Sequence, residues 1–103
     1  MIPDSVMICG IPYKVELVDD SFDLDLHLGL IKYGEGVIRI NAALTPELQM
    51  QALFHEMVHG MLALIGRDDA GSDEQLVQGL ANAMYQSFQL RADGYETPYY
   101  RKD

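Results

Sequence analysis

Cysteine is nearly absent from this 103-residue chain. Cys9 stands alone, which excludes an internal disulfide framework and every zinc site built from several cysteines, and fits a reducing compartment. Basic side chains are scarce as well. Seven Lys and Arg face sixteen Asp and Glu, a formal charge of −9, and no run of Lys or Arg occurs. A phosphate backbone needs a basic face, so nucleic acid is excluded as a partner. No apolar run is long enough to span a bilayer, and Met1 to Gly10 offers neither a charged start nor a long apolar stretch, so neither a membrane partner nor an export signal is expected. These absences predict a soluble, cytoplasmic protein.

What is present suffices for a core. The chain is 49% hydrophobic with three Phe and six Tyr, a composition of packed domains rather than disordered tails. Its length predicts one domain over residues 1–103. Val6 to Ile8 and Ile11 to Val18 read as strands, the second alternating Ile11, Tyr13, Val15 and Leu17 against Pro12, Lys14 and Glu16 around a break at Gly10. Leu24, Leu26, Leu28 and Leu30 alternate with Asp23, Asp25, His27 and Gly29, the pattern of a strand with one buried face. The phase slips at Ile31 and Tyr33, which predicts a bulge near Gly29. Gly34, Glu35 and Gly36 connect into a strand over Val37 to Asn41.

Helices follow. Thr45-Pro46 predicts a helix start, and Gly66 its end after about Ile65. Phe54, Met57, Val58, Met61 and Ile65 mark the most apolar stripe, with Leu48, Leu53, Leu62 and Leu64 on other faces, so this helix is expected to be buried on most sides. Ser72 and Gln75 have capping-box spacing for a second helix, from Asp73 to about Arg91, with Val77, Leu80, Ala81, Met84 and Phe88 inward. Residues 92–103 read as an irregular tail. The fold class is therefore α+β: a small, mostly antiparallel sheet of three or four strands followed by two long helices, β-β-β-α-α.

Within the first helix stands His55-Glu56-Met57-Val58-His59. Residues four apart on a helix share a face, so both imidazoles can address one ion at roughly 2.0–2.1 Å. Glu56 sits about 100° further round, placed to take a proton from water rather than to join as a ligand. At this composition the H-E-x-x-H pattern has a chance expectation of about 0.005 occurrences in the chain. Two imidazoles leave a catalytic zinc one protein ligand short. His27 is the only other histidine and none lies downstream, which removes the longer three-histidine motif. Among the later carboxylates, Glu74 begins the second helix in register with Val77, Ala81, Met84 and Phe88. Asp73 flanks the same stripe and is its rival. Glu74 is favoured, since its longer side chain can cross between helices while Asp73 can serve the helix N-terminus. Gly60 beside His59 is costly in a helix and is read as allowing the second helix close approach.

At these residues the chain resembles the gluzincin metallopeptidases, and is similar to their small bacterial and phage-type members, the ImmA/IrrE-type peptidases and minigluzincins. The resemblance implies a zincin-like fold in which His55, His59 and Glu74 bind Zn2+ and Glu56 is the general base and acid. It implies further that an edge strand, assigned to Val37 to Asn41, holds a peptide or protein substrate extended. The chain departs from the thermolysin-like pattern, since no Asn-Glu-x-x-Ser-Asp surrounds Glu74. The function expected is a zinc-dependent metallo-endopeptidase, a hydrolase; the alternative is a non-catalytic, zinc-stabilised binding module that keeps the motif.

Other residues receive plainer readings. His27 is expected at the solvated face of its strand, and Asp19, Asp20, Asp23 and Asp25 lack calcium-loop spacing and read as a solvated turn. Cys9 reads as a small buried hydrophobe. An oxyanion stabiliser is required, with Tyr85, Tyr95, Tyr99 and Tyr100 as candidates. The Tyr95 to Tyr100 tail reads as surface packing, with folding over the cleft as the alternative.

Overall fold

Period-two patterning is realised in β1 (Ser5–Ile8) and β2 (Ile11–Val18), where Val6, Ile8, Tyr13 and Val15 are buried and their neighbours Ser5, Met7, Pro12 and Lys14 face outward. The computed structural model describes residues 2–19 and 28–88. Ile8 pairs with Ile11, so the connection is the two-residue turn Cys9-Gly10, with both φ values positive at 51° and 81°. That is the turn whose twist matches paired strands. Cys9 is consequently exposed at a hairpin tip, not buried, because the turn directs it away from the core.

The other hairpin joins β3 (Gly29–Lys32) to β4 (Val37–Asn41) through Tyr33 to Gly36. Gly29 pairs with Ile40 and Ile31 with Ile38 in continuous register, so there is no bulge at Gly29. The phase slip has a simpler cause. The strand begins at Gly29 with Gly29 and Ile31 facing the helices, and Leu28 lies outside it, exposed. Residues 20–27, which carry His27 and most of the expected Leu/Asp alternation, lie outside the described residues.

The sheet is mixed, in the order β1-β2-β4-β3. The two hairpins are antiparallel, as the sequence suggests, but they are joined through a parallel pairing of β2 with β4. β4 is thus central, and the expectation that Val37 to Asn41 forms an edge is wrong. Its run of Val37, Ile38 and Ile40, all buried, is the apolar signature of a strand with neighbours on both sides. Among the described strands the edges are β1 and β3.

α1 (Pro46–Leu64) starts at Thr45, whose hydroxyl accepts from the Leu48 amide. It ends as expected at Gly66 (φ 81°), where the Gly66 and Arg67 amides donate to Ala63 and Leu62 carbonyls. One face packs Ala52, Leu53 and Met57 on the sheet, and another packs Phe54 and Val58 against Val77 and Ala81. Burial of such side chains contributes about 1.5–3 kcal/mol each. Ile65, assigned inward from its spacing, is exposed because it is the C-cap and lies past the last packed turn.

The polar loop after Gly66 contains a helical turn, α2 (Asp68–Gly71), so the described residues hold three helices rather than the two expected. α3 (Glu74–Ser87) is capped by Asp73, which accepts from the Leu76 amide. Ser72 does not cap it, since its hydroxyl donates to the Asp69 carbonyl. Val77 and Ala81 face α1, whereas Leu80 and Phe88 are exposed. Among the described residues α3 packs mainly on α1 and, less, on α2, and its buried stripe, Val77 and Ala81, is narrower than the sequence suggests. Residues 89–91 and the tail lie outside the described residues. No described helix is long and apolar enough to cross a membrane.

Gly60 faces the sheet, not α3: a Cβ there would sit 3.0 Å from Ile8 Cδ1 and 3.1 Å from Ile31 Cδ1. The small residue brings α1 down onto β1 and β3.

Candidate metal centre

His55 and His59, one turn apart on α1, present their rings on one face with centroids 4.9 Å apart. α3 packs alongside through Val77 and Ala81, and its first residue is thereby carried to the two imidazoles. Glu74 Oε1 lies 3.0 Å from His55 Nε2, and Oε2 lies 3.2 Å from His59 Nε2. Each ligand atom of the three residues lies within 4.8 Å of the others, so the group could hold a metal ion. Asp73, the rival, is occupied as the helix cap.

The donor chemistry fits a cation. His55 Nδ1 lies 2.8 Å from Gln78 Oε1 while its Nε2 faces Glu74 Oε1. Both ring nitrogens therefore meet oxygen acceptors, and a neutral imidazole carries only one N–H. With the proton on Nδ1, donated to Gln78, the Nε2 lone pair is left for an ion held between it and the carboxylate. Gln78 is itself fixed, since its amide nitrogen donates to Asn82 Oδ1 at 2.8 Å. Gln78 and Asn82 follow Glu74 at one-turn steps on α3. That spacing could have revealed them as partners for the far side of a ligating histidine.

Glu56 lies on a different side of α1, turned toward β3. It is 9% exposed, the only buried charged residue among those described. Burial pushes its carboxyl up to about 7, with His55 opposing the shift and Glu74 adding to it. Two cavities meet at this carboxyl, sharing Gly29, His55 and Glu56. A narrower one of about 210 Å³ is completed by Leu28, Gln51, Ala52 and Gln78. A more open one of about 530 Å³ is completed by Leu30, Ile31, Tyr33, His59 and Glu74. The cleft therefore runs along edge strand β3, not β4.

Gly29 sets its width. A Cβ there would come 2.9 Å from Ile40 Cδ1 and 3.0 Å from the Arg39 carbonyl oxygen. Because the backbone oxygen belongs to the paired strand, β3 would have to move. Gly29→Ala is expected to lower stability by about 1–3 kcal/mol, read as a reduced urea midpoint with an unchanged m-value.

The sequence offers Tyr85 as a cleft residue, but its ring packs edge-on against Phe54 between α1 and α3, with centroids 5.9 Å apart. Tyr95, Tyr99 and Tyr100 lie outside the described residues. Tyr33, in the β3–β4 turn, reaches the cleft instead, and burial followed by the Glu56 charge raises its phenol above the ordinary value of 10.0. No periodic signal marks a turn residue, so sequence reasoning missed it. In comparisons with protein-family models, curated proteins and solved structures, the chain matches none.

Proposed function

We propose that this protein is a zinc-dependent hydrolase of peptide bonds. The observation that supports this best is the juxtaposition of a three-donor group, His55, His59 and Glu74, with a buried carboxyl, Glu56, at the meeting point of two open cavities. Two imidazoles and one carboxylate are a donor set suited to zinc, and three protein ligands leave a position for water. A bound zinc ion would supply Lewis acidity toward that water and toward the scissile carbonyl. A purely structural site has no use for a titratable carboxyl beside it, and usually closes its fourth position with protein.

The chain's own groups divide the remaining work. His55, His59 and Glu74 hold the ion, and Gln78, backed by Asn82, fixes the orientation of His55. Glu56 accepts a proton from the attacking water as its oxygen adds to the carbonyl carbon. It delivers that proton to the amide nitrogen as the C–N bond breaks. β3 borders the cleft and is an edge among the described strands, so an extended peptide is the substrate form it suits.

The test is metal analysis together with cleavage of a quenched-fluorescent peptide library by zinc-loaded protein. Stoichiometric zinc and chelator-sensitive cleavage are expected. Zinc binding with no peptide cut would sink the hydrolase reading and favour a zinc-stabilised binding module.

A further inference from the structure

We infer that Tyr33 is a catalytic residue of this cleft, whose phenol donates a hydrogen bond to the oxygen that becomes negative as the scissile carbonyl turns tetrahedral. The inference rests on the hydrolase reading above. Water addition leaves the former carbonyl oxygen with a negative charge that bound zinc would share, and a hydrogen-bond donor in the cleft wall adds to that stabilisation.

Among the described residues lining the open half of the cleft, Tyr33 is the only one besides the histidines whose side chain carries a donor at neutral pH without first having to take up a proton. Leu30, Ile31 and Gly29 are apolar there, and both imidazoles are committed to the ligand group. Arg39 is held by Glu16 and Glu35 at 3.1 and 3.2 Å, and Arg67 by Asp69. Tyr85 is spent on Phe54. Tyr33 is also well mounted: it follows β3 directly, inside a four-residue turn closed by Glu35 and Gly36 amides donating to Lys32 and Tyr33 carbonyls. Its ring is half-exposed, open to the space a substrate would fill.

The step transfers no proton to or from Tyr33. The water proton passes through Glu56 to the leaving nitrogen, and the phenol O–H only strengthens its hydrogen bond as charge develops.

Tyr33→Phe removes the donor and keeps the ring. With zinc-loaded protein and the best peptide from the library, kcat is expected to fall about 10²–10³-fold with KM nearly unchanged. A phosphinic analogue of that peptide, which mimics the tetrahedral state, is expected to bind the variant weaker by the same factor. The uncleaved peptide, measured in the Glu56→Gln background, binds equally with or without Tyr33. Zinc content and thermal midpoint stay at wild-type values. Equal cleavage and equal phosphinate affinity in Tyr33→Phe overturn the role of Tyr33 alone. A wild type that cleaves nothing overturns it together with the hydrolase reading.

Discussion

The Glu56→Gln variant is expected to lose peptide cleavage by about 10²–10⁴-fold and, without metal at pH 8, to be more stable than the wild type by about 3 kcal/mol. Both effects follow from one burial. The carboxyl is 9% exposed and pushed up to about 7, so between pH 4.5 and 7 the folded protein holds a proton that the unfolded chain has released. A state that binds more protons loses ground as pH rises. The wild type therefore weakens through that window and stays weakened above it. The substituted amide is neutral at every pH and matches the protonated acid in shape, so the variant follows the wild type near pH 4 and departs from it above. Urea denaturation of both chelated proteins at pH 4 and pH 8 checks the sign. A variant less stable than the wild type at pH 8 defeats the account. A residue kept at a stability cost is what a functional demand leaves behind.

Zinc at about 1,000 times its dissociation constant is expected to stabilise the wild type by roughly 4 kcal/mol. For a domain of this size that is a rise in thermal midpoint of roughly 15–30 °C. His59→Ala is expected to abolish the rise and to lower the stability of the chelated protein by only about 1 kcal/mol, since His59 lies outside both buried core clusters. The same is expected of Glu74→Gln, whose side chain is 66% exposed and bridges the two imidazoles. Differential scanning fluorimetry with zinc and with chelator reads both. A full zinc-dependent shift in His59→Ala removes the assignment of the centre.

The sequence made the helical part of the centre legible. His55, Glu56 and His59 fall on one helix by spacing alone, and Thr45, Pro46 and Gly66 bound that helix by local chemistry. Glu74 was reachable because it starts its helix in register with Val77 and Ala81, which do face α1. The sheet was less legible. Strand order depends on pairings between distant residues, and nothing within Val37 to Asn41 says that β2 rather than solvent lies beside it, apart from its lack of polar alternation. Gly60 was seen as a close approach but assigned to the wrong neighbour, because a helix covered on two sides offers two candidates. Tyr33 and Gly29 escaped for the same reason: their roles arise from where the edge strand is laid, not from local pattern.

The parallel pairing of β2 with β4 also ties the two sides of the cleft to different parts of the fold. The three candidate ligands lie on α1 and α3, which pack directly on each other. Gly29 meets Glu56 where α1 lies on the sheet, on a strand held in place through β4 and β2. The candidate ligand group thus depends on helix-on-helix packing, and the wall beside Glu56 depends on the sheet.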